Sequence, residues 1–353
     1  MKYCTKCLMP ETRPRITFNS ERLCNACQWN EEKKTIDWDD RWNQLEAICE
    51  NYKTDRFNVL VPCSGGKDGS YVAWKLKHEL GMKPLCFTLE PQIQTEIGRI
   101  NLNNFKNAGF DHLLISPNRE EYRKLAKEAF IERGQPKEPF INGITTVAVK
   151  LSKAFDIPLV MLGEEGEMEY GGSSELKDRI WADEDYLNKC YYSGHNIPHS
   201  PWFSLGDSDK AMITHWSKFE DWDPEDHARF CSKHTGLQMS VGGQIGTFTN
   251  YAQLDDVLQD LHAFMMFVKF GFGRASSDCS IEIRRGRMTR EEGIEIANKV
   301  DGEFPLEYLP LYLEYFDMTE AEFWAVVDKF ANKEILIKTE DKTRPYKLCA
   351  PLS

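Results

Sequence analysis

Residues 57–76, FNVLVPCSGGKDGSYVAWKL, restrict the fold more than any other stretch of the chain. Val59, Leu60 and Val61 form the short apolar run of a buried parallel strand. SGGKDGS then turns the chain, and YVAWKLKHELG carries apolar residues at helical spacing up to a glycine stop at Gly81. A strand, a glycine turn and a helix N-terminus together make an anion site. Gly65, Gly66 and Gly69 let the backbone approach an oxyanion closely, and the N–H groups and dipole of the helix point at it. Ser64 and Ser70 add hydroxyl donors and Lys67 a cation, so the turn is suited to phosphate. Neither the Walker pattern, GxxxxGK followed by Ser or Thr, nor the dinucleotide pattern GxGxxG can be read here.

The segments that follow alternate as a doubly wound, mostly parallel α/β sheet should. KPLCFTLEP and DHLLIS predict the second and third strands, with the helix TEIGRINLNNFKNAG between them. Two helical stretches, REEYRKLAKEAFIERG and INGITTVAVKLSKAF, lead to the buried strand IPLVMLG. In such sheets ligands lie beyond the carboxyl ends of the strands, so the loops after Cys63, Leu89, Ser116 and Gly163 should converge. The last of these loops, GEEGEMEYGGSSE, places Glu164, Glu165, Glu167 and Glu169 within six residues. Their mutual repulsion calls for a cation or a basic partner, and Mg²⁺ carried by ATP fits that need.

The chain ends show two other patterns. Cys4 and Cys7, then Cys24 and Cys27, form two CxxC pairs sixteen residues apart, the spacing of a zinc ribbon with a closed, structural site. Beyond residue 176 aromatic residues become dense and helices dominate. His227, Cys231 and His234 share a helical face there, as a packed cluster rather than a metal site. KFGFGRASSDCSIEIRRGRMTREEG concentrates Lys269, Arg274, Arg284, Arg285 and Arg287, which suits phosphate or a substrate carboxylate. Arg285 and Arg287 read equally well as surface partners of neighbouring acids. The expected division is a zinc ribbon at 1–30, a docking helix at 31–54 with Trp42, Leu45 and Ile48 on one face, a nucleotide-binding α/β domain at 55–175, and a mainly helical substrate or partner domain at 176–353.

Composition excludes several classes of function. A net charge of −12 over 353 residues disfavours a broad nucleic-acid footprint. No apolar stretch is long enough to span a bilayer, and MKYCTKCLMP lacks a secretory core, so a cytoplasmic protein is expected. Eleven cysteines scattered through such a chain suggest metal ligation or buried thiols, not a disulfide framework.

SGGKDGS resembles the SGGxD-Ser/Thr motif of the PP-loop ATP pyrophosphatases, which cut ATP between the α and β phosphates and adenylylate a carbonyl oxygen. Gly69 stands where that motif has Ser or Thr, with Ser70 one place later. Together with the cysteine pairs, LGEEGEMEYGG and the basic C-terminal run, the motif resembles the bacterial N-acetyl sugar amidotransferases of surface-polysaccharide and flagellin-glycan biosynthesis, over residues 1–310. The resemblance implies conversion of an acetamido to an acetamidino group through an O-adenylyl imidate, with ATP and Mg²⁺ as cofactors and structural Zn²⁺. It implies an acetamido sugar substrate and a separate glutaminase subunit, with a cyclase-like barrel as conduit.

On this reading Lys67, Asp68, Glu164, Glu167 and Arg274 are catalytic, and Asp68 and Glu164 hold Mg²⁺. Ser64, Gly65, Gly66, Lys67, Asp68, Gly69, Ser70, Phe87, Thr88, Leu89 and Gly163 bind the nucleotide. Tyr170, Lys269, Arg274 and Arg284 contact the sugar. Two rivals are a PP-loop tRNA thiolase using Cys63 or Cys190, which the acidic balance disfavours, and a zinc-ribbon adaptor with a regulatory nucleotide site.

Overall fold

A computed structural model describes residues 1–172, 181–182, 200–206, 211–242 and 244–352. After the cysteine segment, α1 (Asn25–Glu32) and α2 (Trp38–Tyr52) lead into a regular alternation. Its elements are β1 (Val59–Pro62), α3 (Lys67–His78), β2 (Pro84–Leu89), α4 (Glu96–Asn107), β3 (Asp111–Ile115), α5 (Arg119–Arg133), α6 (Glu138–Phe155) and β4 (Leu159–Leu162). The short helix α7 (Gly166–Glu169), β5 (Trp181–Ala182) and β6 (Ala211–His215) follow. The sheet order is β3-β2-β1-β4-β6-β5, parallel throughout except for β5, which pairs antiparallel with β6.

The central strands β1, β2 and β4 are buried on both faces, which explains their continuous apolar runs. Alternate residues nevertheless enter different cores. Val59, Val61, Cys86, Leu159 and Met161 pack with α2 and α3, where Leu45 is fully buried and Trp42 and Ile48 lie against the same core. Leu60, Leu85, Phe87 and Val160 pack on the other face with Val147 and Leu151 of α6. The crossover helices have local stop and start signals: Thr95 caps α4, Asn118 caps α5, and Gly134, at φ 62°, ends α5 in the left-handed region.

The boundary expected at residue 175 cuts this sheet. β6 lies at 211–215 and pairs with β4 through Leu159–Met212 to Leu162–His215, so the sheet draws in chain assigned from the sequence to the helical region. β6 is five residues long and sits among dense aromatics, which hide its strand pattern.

The remaining described chain forms α8 (Pro224–His234), α9 (Leu258–Phe270), α10 (Arg274–Arg285), α11 (Arg290–Val300), α12 (Leu309–Phe316) and α13 (Glu320–Phe330). A two-stranded ribbon of β7 (Leu336–Lys338) and β8 (Tyr346–Leu348) follows. α9, α12 and α13 enclose Phe264, Phe304, Tyr312, Phe316 and Phe323, together with Ala126 and Phe130 from α5. This shared core fixes the helical region to the carboxyl edge of the sheet. No helix among the described residues is long and apolar enough to cross a membrane.

Candidate active site at the strand ends

The sheet order reverses between β1 and β4, and a crevice opens beyond their carboxyl ends. The loop from β1 to α3 lies there. Gly66 precedes α3 with no side-chain cap, so the first N–H groups of the helix remain available to a ligand. Gly65 has φ +84°, and a Cβ on it would stand 2.5 Å from the Leu102 nitrogen and 2.6 Å from the Asn101 carbonyl carbon. Only glycine fits where α4 crosses the loop so closely.

Gly69 is required for a different reason. A Cβ there would meet the Pro62 oxygen and lie 2.7 Å from Cys63 Cα, so α3 seats directly on the end of β1. Ser70 is fully buried, with its hydroxyl 3.5 Å from Cys63 Sγ. Its side chain is engaged behind the loop and is not among those lining the crevice.

A cavity of about 430 Å³ fills the crevice. Ser64, Gly66, Lys67, Asp68, Gly69, Phe87, Thr88, Leu89 and Glu164 all line it. Lys67 is buried and holds both Asp68 oxygens at 2.6 Å. The Thr88 hydroxyl donates to the Cys63 carbonyl at 2.6 Å and lies 2.7 Å from His112 Nε2. Gly163 brings β4 close to Asp68, since a Cβ there would touch Asp68 Cβ at 3.3 Å.

Several lining residues are missing from the sequence reading. Lys137 stands just before α6, buried, 3.3 Å from Asp256 Oδ2 and 4.4 Å from the Phe140 ring centre. Tyr251, Gln253, Asp255, Gln259 and His262 come from the chain leading into and through α9. Lys137 had a readable signal. A crossover helix runs back against the strands, so the residue ahead of it lies at the carboxyl edge. The polar residues near and within α9 carry no such signal, because its apolar periodicity describes only the core-facing side.

The acidic loop divides its carboxylates. Glu164 alone lines the cavity, and Tyr170 donates to it at 3.4 Å. Burial pushes the Glu164 carboxyl up to about 7, the Asp68 charge adding to the rise and Lys67 opposing it. Glu165 turns to His215, at 3.1 Å. Glu167 pairs with Arg15, and Glu169 accepts from Trp29 at 2.9 Å and Lys33 at 3.0 Å. The last two therefore tie the loop to the N-terminal segment. Two carboxylates beside one lysine, Asp68 and Glu164, form an oxygen donor set that fits a hard divalent cation carried in with phosphate.

The basic run is dispersed as well. Arg274 pairs with Asp278 at 3.2 Å and with Gln253, a cavity-lining residue. Arg285 binds Asp221, and Arg287 binds Asp223 and Glu282, so both are engaged with neighbouring acids. Arg284 is half-buried between the acidic loop and the cysteines and donates to the Glu169 carbonyl at 3.1 Å. Burial opposes its charge, but Cys7, Cys27, Cys24 and Glu169 more than offset that and raise its pKa. Lys269 donates to the Arg133 carbonyl at 2.8 Å and lines a neighbouring cavity.

Cys4, Cys7, Cys24 and Cys27 bring four buried sulfurs within 4.8 Å of one another. The closest pairs, Cys4–Cys27 and Cys7–Cys24, are 3.7 and 3.6 Å apart. A tetrahedral ion with ~2.3 Å bonds to sulfur spaces its ligands ~3.8 Å apart, so these residues fit Zn²⁺. Such a closed site serves folding.

Cys63 is buried and its thiol is pushed up to about 12 by burial, partly offset by Ser70, which makes it a poor sulfur carrier. Cys190 lies outside the described residues. His227 stacks on Tyr71 with ring centres 3.8 Å apart, and Cys231 donates to the Lys67 carbonyl at 3.2 Å. These groups support the cradle from behind.

Residues 245–352 match the family model of the LPS biosynthesis protein WbpG-like, C-terminal domain. A comparison with curated proteins gives no match. Among solved structures, the chain is similar to one titled as a predicted subunit of tRNA methyltransferase from Methanocaldococcus jannaschii. Identity is 15% and the TM-score 0.31, with 61% of this chain and 88% of that chain covered. It is also similar to NMN synthetase from Francisella tularensis, at 13% identity and a TM-score of 0.36, over 74% of this chain and 93% of that chain.

Proposed function

We propose that the chain is an ATP-dependent amidotransferase of bacterial surface-glycan biosynthesis, converting the acetamido group of a sugar to an acetamidino group. One observation carries the reading: the glycine loop and residues 251–262 of the lipopolysaccharide-biosynthesis match wall a single cavity. A phosphate cradle and a glycan-linked domain thus face the same ligand.

An amide carbonyl is a weak electrophile with a poor leaving group. The sugar's amide oxygen attacks the α-phosphorus of ATP, the bond to the β,γ-diphosphate breaks, and an O-adenylyl imidate and pyrophosphate result. Ammonia then adds to the imidate carbon, AMP departs with the former amide oxygen, and the lost proton leaves an acetamidino group. The protein's part is positioning and electrostatics. The open N-terminus of α3, the hydroxyl of Ser64 and the ammonium of Lys67 hold the departing pyrophosphate. Asp68 and Glu164 would hold Mg²⁺, which supplies charge neutralisation on the phosphates. Phe87, Thr88 and Leu89 form the wall assigned to adenine. Arg274, beside cavity-lining Gln253, orients the sugar side, and Glu167 acts through the loop it anchors to Arg15.

Ammonia would come from a separate glutaminase subunit, with a barrel-shaped companion as conduit. The cytoplasm supplies both ATP and glutamine. The test is AMP and pyrophosphate release from ATP, Mg²⁺ and ammonium chloride across a panel of acetamido hexoses and nonulosonic acids, with unmodified tRNA plus a sulfur donor as the competing arm. Sugar-dependent AMP supports the proposal. AMP formed only with tRNA transfers the reading to a thiolase, and nucleotide binding without turnover to an adaptor.

A further inference from the structure

Next to the nucleotide cavity lies a second one of about 300 Å³, between the cysteine segment, the start of α6 and the polar side of α9. Ile141 and His262 line both cavities and so form the partition between them. Three buried polar atoms in the second cavity's wall have no hydrogen-bond partner: Arg13 Nε, Asn142 Nδ2 and His262 Nδ1. Asn142 is only 2% exposed. A buried polar group without a partner is costly, and three around one cavity mark groups kept for a ligand.

The charge of the wall indicates what that ligand is. Lys269 contributes an ammonium that spends one hydrogen on the Arg133 carbonyl. The one carboxylate in the wall, Glu138, is held by Arg133 Nε at 2.5 Å, and its charge, which favours the Lys269 ammonium, does not outweigh burial there. The two cations are both pulled below their ordinary pKa values, first by burial, as expected where a cation lacks a sufficient counter-charge. A volume of this size is at the lower end for small-molecule sites and suits a monosaccharide.

We infer that this second cavity binds the acceptor substrate, and that the acceptor is an acetamido sugar whose carboxylate or phosphate sits on Arg13 and Lys269. Asn142 donates to a neutral oxygen of the sugar, and His262 marks the end facing the nucleotide. The identity of the acceptor rests on the amidotransferase reading; the anion site rests on the cavity itself.

The experiment is calorimetric titration of the full-length protein with N-acetylneuraminic acid as the carboxylate probe, UDP-N-acetylglucosamine as the phosphate probe and neutral N-acetylglucosamine. A non-hydrolysable α,β-methylene ATP analogue is titrated in parallel. Lys269→Met keeps the stem packed on Phe270 and Phe330 while removing the charge, and Asn142→Asp exchanges a donor for a negative acceptor at equal size. The expected result is that one anionic probe binds more tightly than the neutral sugar. Each variant then weakens that probe by about tenfold or more, as a lost charge-assisted hydrogen bond should. Affinity for the nucleotide analogue stays unchanged. Whichever anion binds identifies the source of the charge. Equal affinity in the variants, or no anionic binding by protein that holds the analogue, overturns the proposal. Failure of the wild type to bind the analogue overturns the nucleotide reading, and the anion titration still decides the second cavity.

Discussion

Gly69→Ser would restore the hydroxyl usual in the phosphate-loop motif, and here it should damage both folding and catalysis. A Cβ at this position lies 2.7 Å from Cys63 Cα and 2.8 Å from Cys63 Cβ, where ordinary contact begins at 3.4 Å. The obstructing atoms belong to the end of a central strand, so α3 must retreat by roughly 0.7 Å to clear Cys63 and further to clear the Pro62 oxygen, which lies nearer still. Overpacking of this kind costs about 1–3 kcal/mol, and the upper part of that range applies because little of the obstruction can rotate away. A displacement approaching 1 Å at the phosphate site also costs about 100-fold in rate. Gly66→Ala is the internal control: its Cβ would meet only Ser64 Oγ, at 3.5 Å, and its φ of −73° suits any residue. Urea denaturation should therefore separate the pair, with Gly66→Ala within about 0.5 kcal/mol of the wild type in stability. A Gly69→Ser protein as stable as the wild type, with nucleotide affinity raised, would refute this packing account.

Lys67→Met should lower AMP formation by about 100- to 1000-fold, the usual cost of one preorganised donor to developing charge, as measured by kcat/KM at saturating Mg²⁺. Cys24→Ser should lose zinc, measured by metal analysis after gel filtration, while the serine hydroxyl still accepts the Cys27 N–H that now caps α1. Retention of one zinc per chain would count against the four-cysteine site. His112 is held neutral by burial, its pKa lowered to about 4, so the unfolded chain takes up a proton there before the folded one does. The stability it contributes is present above about pH 6.5 and is lost as pH falls toward 4. His112→Gln should thus lose less stability than the wild type between pH 7 and 5, by urea midpoint; parallel losses would remove His112 from the acid response.

The first four strands were legible because each is a short apolar run bounded by glycine, proline or a capping residue, and the cysteine pairs because their spacing is itself the geometry. β6 was not, since nothing local separates AMITH from the aromatic chain around it, and its partner β4 lies some fifty residues earlier. The phosphate loop was readable as a cradle, but the packing that excludes a side chain at Gly69 is a tertiary contact with no trace in the motif. Charge clusters misled most. Four glutamates and five basic residues look like two sites in one dimension, yet Glu165, Glu167, Glu169, Arg285 and Arg287 are engaged with partners distant in sequence. Arg13, Asn142 and His262 escaped notice because each is a single polar residue whose cavity exists only after the elements pack, whereas Lys137 was marked by its place ahead of a crossover helix.

The most direct test of the proposed chemistry follows the amide oxygen. An acetamido sugar carrying isotopically labelled oxygen in its acetyl group is incubated with the protein, ATP, Mg²⁺ and ammonium chloride, and the products are resolved by mass spectrometry. Activation as an O-adenylyl imidate predicts that the label leaves in the phosphate of AMP while the sugar gains nitrogen. Label retained by the sugar, or AMP formed without label, would contradict it.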